Sequence, residues 1–224
     1  MEVVGLLPMK GHSERVPNKN TRTFAGQPLF YCILEKLANC EAVQRIIVNT
    51  DCDQIADMAI KKSRKVVVHI RPEELRGDFV SMNRIIQYDL QKCGADVCMQ
   101  THSTNPLVRG ETIQAAIRRF SEVRGDGFDS LFSVTRYQTR LYDAQGHPVN
   151  HDPAELIRTQ DLPPLFEENS CFYIFSKETF ARNGFRHVGA KPYMFEIDKL
   201  EAIDIDTMDD FLIAETIYRT RAQK

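Results

Sequence analysis

The sequence carries no excess of either charge: 31 acidic residues stand against 29 lysines and arginines, giving a net charge of −2 and a pI near 6.3. No global basic field exists, so nucleic acid and anionic membrane surfaces are excluded as general partners and any anion must be bound locally. No apolar run approaches the roughly 18 residues of a membrane span, and the N-terminus lacks a charged-then-apolar leader pattern. The expectation is a cytoplasmic chain that neither crosses a membrane nor is exported. The six cysteines (Cys32, Cys40, Cys52, Cys93, Cys98 and Cys171) include no C-x-x-C pair, which points to free buried thiols over disulfides or zinc ligands. Neither G-x-x-x-x-G-K-[ST] nor G-x-G-x-x-G occurs, so Walker-type and dinucleotide-binding loops are absent. Internal repeats and low-complexity stretches are missing as well.

What is present is an ordinary globular balance, 42% hydrophobic and 27% charged, over 224 residues, enough for one large α/β domain. Apolar runs at 3–7, 45–51, 65–70, 95–100 and 130–135 read as buried strands. Between them, 28–38, 54–62, 82–92 and 110–119 show helical spacing, with Pro28 suited to the first helical position. This alternation predicts a mostly parallel sheet covered by helices on both faces, with ligands at the strands' carboxyl ends. The rhythm breaks over 136–193, where Pro148, Pro153, Pro163 and Pro164 accumulate and 169–175 supplies one strand; this stretch is expected to be an arm or insertion over the sheet's edge. A last amphipathic helix covers 211–218, with Thr207 as N-cap and Asp210 at its third position.

Two stretches carry chemistry. The first strand empties at Pro8 into a polar loop bearing Lys10, Arg15 and Lys19 with Ser13, Asn18 and Asn20. Three cations within ten residues repel one another unless an anion or solvent separates them, and a strand-to-loop junction presents free N–H groups to phosphate oxygens. An ordinary solvated loop is the alternative. Near the other end, the extended run Ile203-Asp204-Ile205-Asp206 would turn both carboxylates to one face, a pair suited to Mg²⁺ with retained waters, or else to the positive end of the following helix.

The loop Pro8-Met9-Lys10-Gly11-His12-Ser13-Glu14-Arg15-Val16-Pro17-Asn18-Lys19-Asn20 resembles the signature of the acylneuraminate cytidylyltransferase family, which includes the CMP-sialic acid synthetases and is related to the CMP-Kdo synthetases. Lys10 stands where that family usually has arginine. Ile203-Asp204-Ile205-Asp206-Thr207 resembles its paired-aspartate element. Arg71-Pro72 with Asp78 and Ser81 resembles its nucleotide-enclosing segment, although Arg71 could equally pair with Glu73 or Glu74 and Ser81 could simply cap a helix. Gln100 to Leu107 resembles its sugar-facing loop with an extra residue, and Asn169-Ser170-Cys171 its late strand, with Ser170 and Cys171 replacing the usual small pair.

The resemblance implies a single Rossmann-like nucleotidyltransferase domain with a dimerisation arm. The implied reaction is attack by a hydroxyl of an acidic keto-sugar on the α-phosphorus of CTP, forming a CMP-sugar and pyrophosphate, in a homodimer. Pro8, Met9, Lys10, Gly11, Ser13, Arg15, Lys19, Asn20, Arg71 and Ser81 are then expected at the nucleotide, with Lys10, Lys19 and Asp206 catalytic. Gln100, His102, Ser103 and Asn169 are expected at the sugar, and Asp204 and Asp206 at a divalent cation. Departures at Lys10, Asn105 and Ser170-Cys171 leave the acceptor open to a sugar phosphate or phosphonate, and a nucleotide-binding protein without turnover is the remaining alternative. Cys171 has no activating partner in sequence and is not expected to be a nucleophile.

Overall fold

Four consecutive buried residues, Val3–Leu6, form β1 of a computed structural model that describes residues 2–222. Around β1 a seven-stranded sheet is assembled from β4 (Val43–Thr50), β5 (Val66–Ile70), β6 (Val97–Thr101), β7 (Ser130–Tyr137), β8 (Leu165–Ser176) and β9 (Pro192–Glu196). The order is β5-β4-β1-β6-β8-β7-β9. β1 runs parallel to β4 and β6, β4 to β5, and β7 to β9, while β8 alone runs antiparallel to its neighbours β6 and β7.

Alternate residues of each central strand feed opposite cores, which explains why these segments read as unbroken apolar runs. Val3, Ile46, Val48, Met99 and Ile174 pack under the helices α1 (Tyr31–Asn39), α2 (Asp53–Lys62) and α4 (Gly110–Val123). Val4, Leu6, Ile47, Cys98 and Phe175 pack under α3 (Met82–Cys93) and α5 (Lys177–Arg182). The sheet is therefore covered on both faces, as the alternation requires.

Two expectations change. Pro28 is not a helical residue: Ala25 and Gly26 both adopt positive φ (49° and 93°), the geometry of a two-residue hairpin turn, and it pairs β2 (Thr23–Phe24) with β3 (Gln27–Pro28) before α1 begins. The stretch 136–193 is also not one continuous arm, because its residues 165–176 form the interior strand β8, leaving 138–164 and 177–191 outside the sheet. An antiparallel strand inserted into a parallel sheet needs no crossover helix, so the α/β rhythm was lost there while the sheet continued.

The last helix, α6 (Met208–Ala222), brings the C-terminal end back to the N-terminal loop. Phe211 and Ala214 pack with Val16, Phe24, Leu29 and Ile205 in a third apolar cluster. Its start is closed reciprocally: the Asp210 N–H donates to Thr207 Oγ1 (3.2 Å) and the Thr207 N–H donates to Asp210 Oδ2 (2.7 Å), an acidic capping box. Upstream, the buried Glu201 carboxylate accepts from the Arg109 backbone N–H (2.8 Å) and from Arg109 Nε (2.7 Å) at the N-terminus of α4. The Ile205 N–H donates to the Thr104 carbonyl (2.9 Å), so the aspartate segment is pinned beside the loop that follows β6.

Glu201→Ala removes both acceptors and leaves the Arg109 N–H without a partner, at a cost of about 1–3 kcal/mol. Arg109→Ala keeps the backbone contact and should cost less. Urea unfolding of the two variants tests this order, and equal losses would contradict it.

Candidate active site

β1 connects first to β4 on one side, while β6 flanks it on the other, so the chain reverses direction across the sheet at β1, and a crevice opens beyond the carboxyl ends of β1 and β6. Here lies a cleft of about 360 Å³ lined by the first loop, by Arg71, Gly77, Asp78 and Val80, and by His102, Ser103 and Thr104. Pro8, Met9, Lys10, Ser13, Arg15, Lys19, Asn20 and Arg71 all line it.

The three cations meet acidic partners across the cleft. Lys10 Nζ forms an ion pair with Asp78. Arg15 Nη2 donates to Asp206 Oδ1 at 2.7 Å, and Lys19 Nζ lies 3.6 Å from the same oxygen while donating to the Ile205 carbonyl at 2.5 Å. Lys19 is the least exposed of the three at 11%, against 39% for Lys10 and 65% for Arg15. The first loop and the late aspartates, at opposite ends of the sequence, thus share one mouth.

Asp204, two residues before Asp206, borders an adjoining concavity of about 370 Å³ with Asn169, Ser170, Glu167, Glu168, Tyr137 and Lys199. Desolvation raises its carboxyl above the ordinary range and the Asp206 charge adds to this, while a hydrogen bond with Thr104 and the Lys19 charge oppose it. Thr104 lines the first cleft, so Asp204 and Thr104 join the two spaces. Among the described residues no cluster of three or more His, Cys, Asp or Glu side chains is arranged to hold an ion. The two carboxylates offer oxygen donors only, which fits a hard divalent cation completed by water or phosphate oxygens.

Several expected contact residues also hydrogen-bond within the protein. Asn20 Nδ2 donates to the Lys10 carbonyl (2.8 Å) and its Oδ1 accepts from Ser103 Oγ (2.6 Å), so Asn20 staples the first loop to the loop after β6. Arg71 makes no pair with Glu73 or Glu74: it is 4% exposed and donates to Asn49 Oδ1 (2.8 Å), the Asn49 carbonyl (3.1 Å) and the Met9 carbonyl (3.3 Å). Gly11 lies outside the lining. Its N–H donates to Asp51 Oδ1 (2.7 Å), and a Cβ there would come within 2.7 Å of Cys52 Cβ, so only glycine lets the loop approach this closely.

Ser81 precedes α3 without a side-chain capping bond. Asn169 is buried, with Oδ1 accepting from Ser133 Oγ (2.6 Å) and Nδ2 donating to Thr135 Oγ1 (3.0 Å). Cys171 is 1% exposed and burial pushes its thiol far up, in keeping with an inert side chain. Asp51, Asn49 and Thr104 did not figure as site residues in the sequence reading. The signal for Asn49 and Asp51 was the polar step ending an otherwise apolar strand.

Gln100 sits beneath the cleft at 1% exposure, its Nε2 2.8 Å from His102 Nε2 and its Oε1 without a partner. With the amide nitrogen as donor, His102 accepts on Nε2 and carries its proton on Nδ1. Burial lowers the His102 pKa to about 4, with His187 adding to the shift. The folded value lies below the unfolded one, so this histidine's contribution to stability is complete above about pH 6.5 and declines as pH falls toward 4. An NMR titration should find His102 neutral at pH 5.5; a midpoint near 6.5 would contradict the burial argument.

Comparisons with known proteins bear on the family and the fold. Residues 4–222 match the family model described as Cytidylyltransferase. The chain is 28% identical over 221 residues to N-acylneuraminate cytidylyltransferase A of Danio rerio, covering 95% of this chain but 50% of that protein, so it spans about half of that relative's length. It is 26% identical to CMP-N,N'-diacetyllegionaminic acid synthase of Legionella pneumophila, covering 97% of this chain and 96% of the relative. A CMP:2-keto-3-deoxy-manno-octonic acid synthetase complexed with CTP superposes with a TM-score of 0.67 at 12% identity, covering 99% of this chain and all of that one, which shows a shared fold. The chain belongs to the cytidylyltransferase family.

Proposed function

We propose that this protein transfers CMP from CTP to a hydroxyl of an acidic keto-sugar, of the nonulosonate or Kdo-like class, releasing pyrophosphate. The observation that carries the reading is the convergence of Lys10, Arg15 and Lys19 on one cleft, with Asp206 paired to two of them and Asp204 at the adjoining concavity. A triphosphate brings negative charge that these cations can hold, and transfer at phosphorus asks mainly for positioning and charge neutralisation. Lys10 would exchange Asp78 for phosphate oxygens, and Lys19, held by the Ile205 carbonyl, is oriented before the ligand arrives. Lys10 and Lys19 would stabilise the charge that develops on the transferring and leaving phosphates. Asp204 and Asp206 would hold Mg²⁺ or another divalent cation, which when bound supplies charge neutralisation and Lewis acidity.

The acceptor would approach from the adjoining concavity, past Asp204. That space presents Glu167, Glu168 and Asp204 against one ammonium, Lys199. Such a lining favours, as a second reading within the same reaction, an acceptor whose acid group is balanced by an amino group. The exposed apolar residues Tyr142, Val149, Leu156 and Ile157, all within 138–164, support pairing with a second copy of the chain, so the active form would be a homodimer. No helix among the described residues is long and apolar enough to cross a membrane, and use of CTP fits work in the cytoplasm.

Purified protein incubated with each nucleoside triphosphate, Mg²⁺ and a panel of keto-sugar acids, amino-bearing acids, sugar phosphates and phosphonates should release pyrophosphate with CTP and an acidic sugar. Turnover with another acceptor class alone would replace the sugar assignment. Lys19→Ala should lower kcat/KM by about 10²–10³-fold, the effect of removing one electrostatic donor; a loss below about ten-fold would remove Lys19 from the transition state. Asp206→Asn should abolish turnover that depends on divalent cation while the thermal transition is retained, and full activity would exclude it as a ligand.

A further inference from the structure

Helix α3 carries a carboxylate in the middle of its apolar face. Asp89 is 1% exposed and flanked by the buried Ile85, Ile86, Leu90 and Cys93. It does not line the cleft. A single oxygen, Oδ1, accepts from Asn49 Nδ2 at 2.8 Å and faces His69 Nδ1 at 2.7 Å, while Oδ2 has no partner. A buried charge with half its acceptor capacity unused is costly, and an apolar side chain would serve packing better.

We propose that Asp89 is a positioning residue for the nucleotide loop, acting through Asn49 and Arg71; the inference rests on the nucleotide-binding reading above. An ionised carboxylate can only accept hydrogen bonds, so it fixes the Asn49 amide with nitrogen toward α3 and oxygen toward Arg71. The oxygen then accepts from Arg71 Nε at 2.8 Å. With its guanidinium held in plane, Arg71 reaches the Asn49 and Met9 carbonyls through Nη2. The Met9 N–H in turn donates to the Asn49 carbonyl at 2.9 Å, so Met9, the residue before Lys10, is held at both its N–H and its carbonyl. The link runs from α3 through the ends of β4 and β5 to the residue before Lys10: Asn49 donates to Asp89, and Arg71 donates both to Asn49 and to Met9. Without Asp89 the amide is free to turn, and its NH₂ group facing a guanidinium leaves two donors opposed. Arg71 then loses the contact that aims it at Met9.

The polarity of the chain supplies the test. Asp89→Leu removes the orienting charge, and Asn49→Asp sets two carboxylates against each other. The double variant Asn49→Asp with Asp89→Asn restores the order of donors and acceptors, since the new amide at 89 can donate to the new carboxylate at 49, which still accepts from Arg71. Calorimetry with CTP and Mg²⁺, with thermal unfolding of each variant alongside, should show CTP bound about ten-fold more weakly by each single variant, and most of the loss recovered in the double variant. In turnover the loss should fall on the KM for CTP, with kcat at saturation little changed. Wild-type affinity in Asp89→Leu, or a double variant no better than Asn49→Asp alone, overturns the inference; should Asp89→Leu fail to fold, the second comparison decides. A wild-type protein that does not bind CTP overturns the nucleotide reading and this inference with it.

Discussion

The contact on which the site depends is the one between Asp206 and the pair Arg15 and Lys19, because it joins the two ends of the chain at the mouth of the sheet. Unliganded, three cations in one loop would repel; here each has a carboxylate within ion-pair distance, and the loop keeps one shape. The same arrangement is poised for an anion. Exposed pairs such as Lys10 with Asp78 and Arg15 with Asp206 are worth little in water, so a polyphosphate can displace them at small cost, whereas Lys19 is largely buried and stays aimed.

A second layer holds the first. Asn20, Asn49 and Arg71 bind backbone or one another, Gly11 binds the Asp51 carboxylate, and these polar atoms are spent on shaping the loop. Their burial removes the water that would otherwise compete for these bonds, so the loop is set by a small number of strong contacts. Glu201 and the capping box at Thr207 do the same for the acidic segment, fixing its register against the loop after β6. Preorganisation of this sort is where a phosphate-transfer site obtains its precision, since the chemistry itself asks for few reacting groups.

Much of this was legible in the sequence, for identifiable reasons. Strands buried on both faces gave unbroken apolar runs, and helices between them gave a clear period, so the sheet and its covering could be read directly. That Lys19 and Asp206 share one site was implied by the resemblance of both stretches to one family's motifs, not by spacing. The antiparallel β8 was half hidden, because its first residues, Leu165 to Glu168, are largely exposed and read as loop. The hairpin at Ala25-Gly26 was missed because Ala seldom takes positive φ, and Pro28 drew the helix start forward. Side-chain roles within the site were the least readable. Whether Asn20, Arg71 or Asn169 faces a ligand or the protein depends on partners brought from distant segments, which local spacing does not encode. Nothing in the spacing of 82–92 sets Asp89 apart from a solvent-facing helix residue; its burial does.

The most direct test is a crystal structure with CTP and Mg²⁺ bound. The account predicts the triphosphate in the cleft beyond β1 and β6, with the Lys10, Arg15 and Lys19 head groups on its oxygens and a cation held by the Asp204 and Asp206 carboxylates. A nucleotide bound elsewhere, or bound in the cleft with Lys19 and Asp206 turned away from it, would contradict the account.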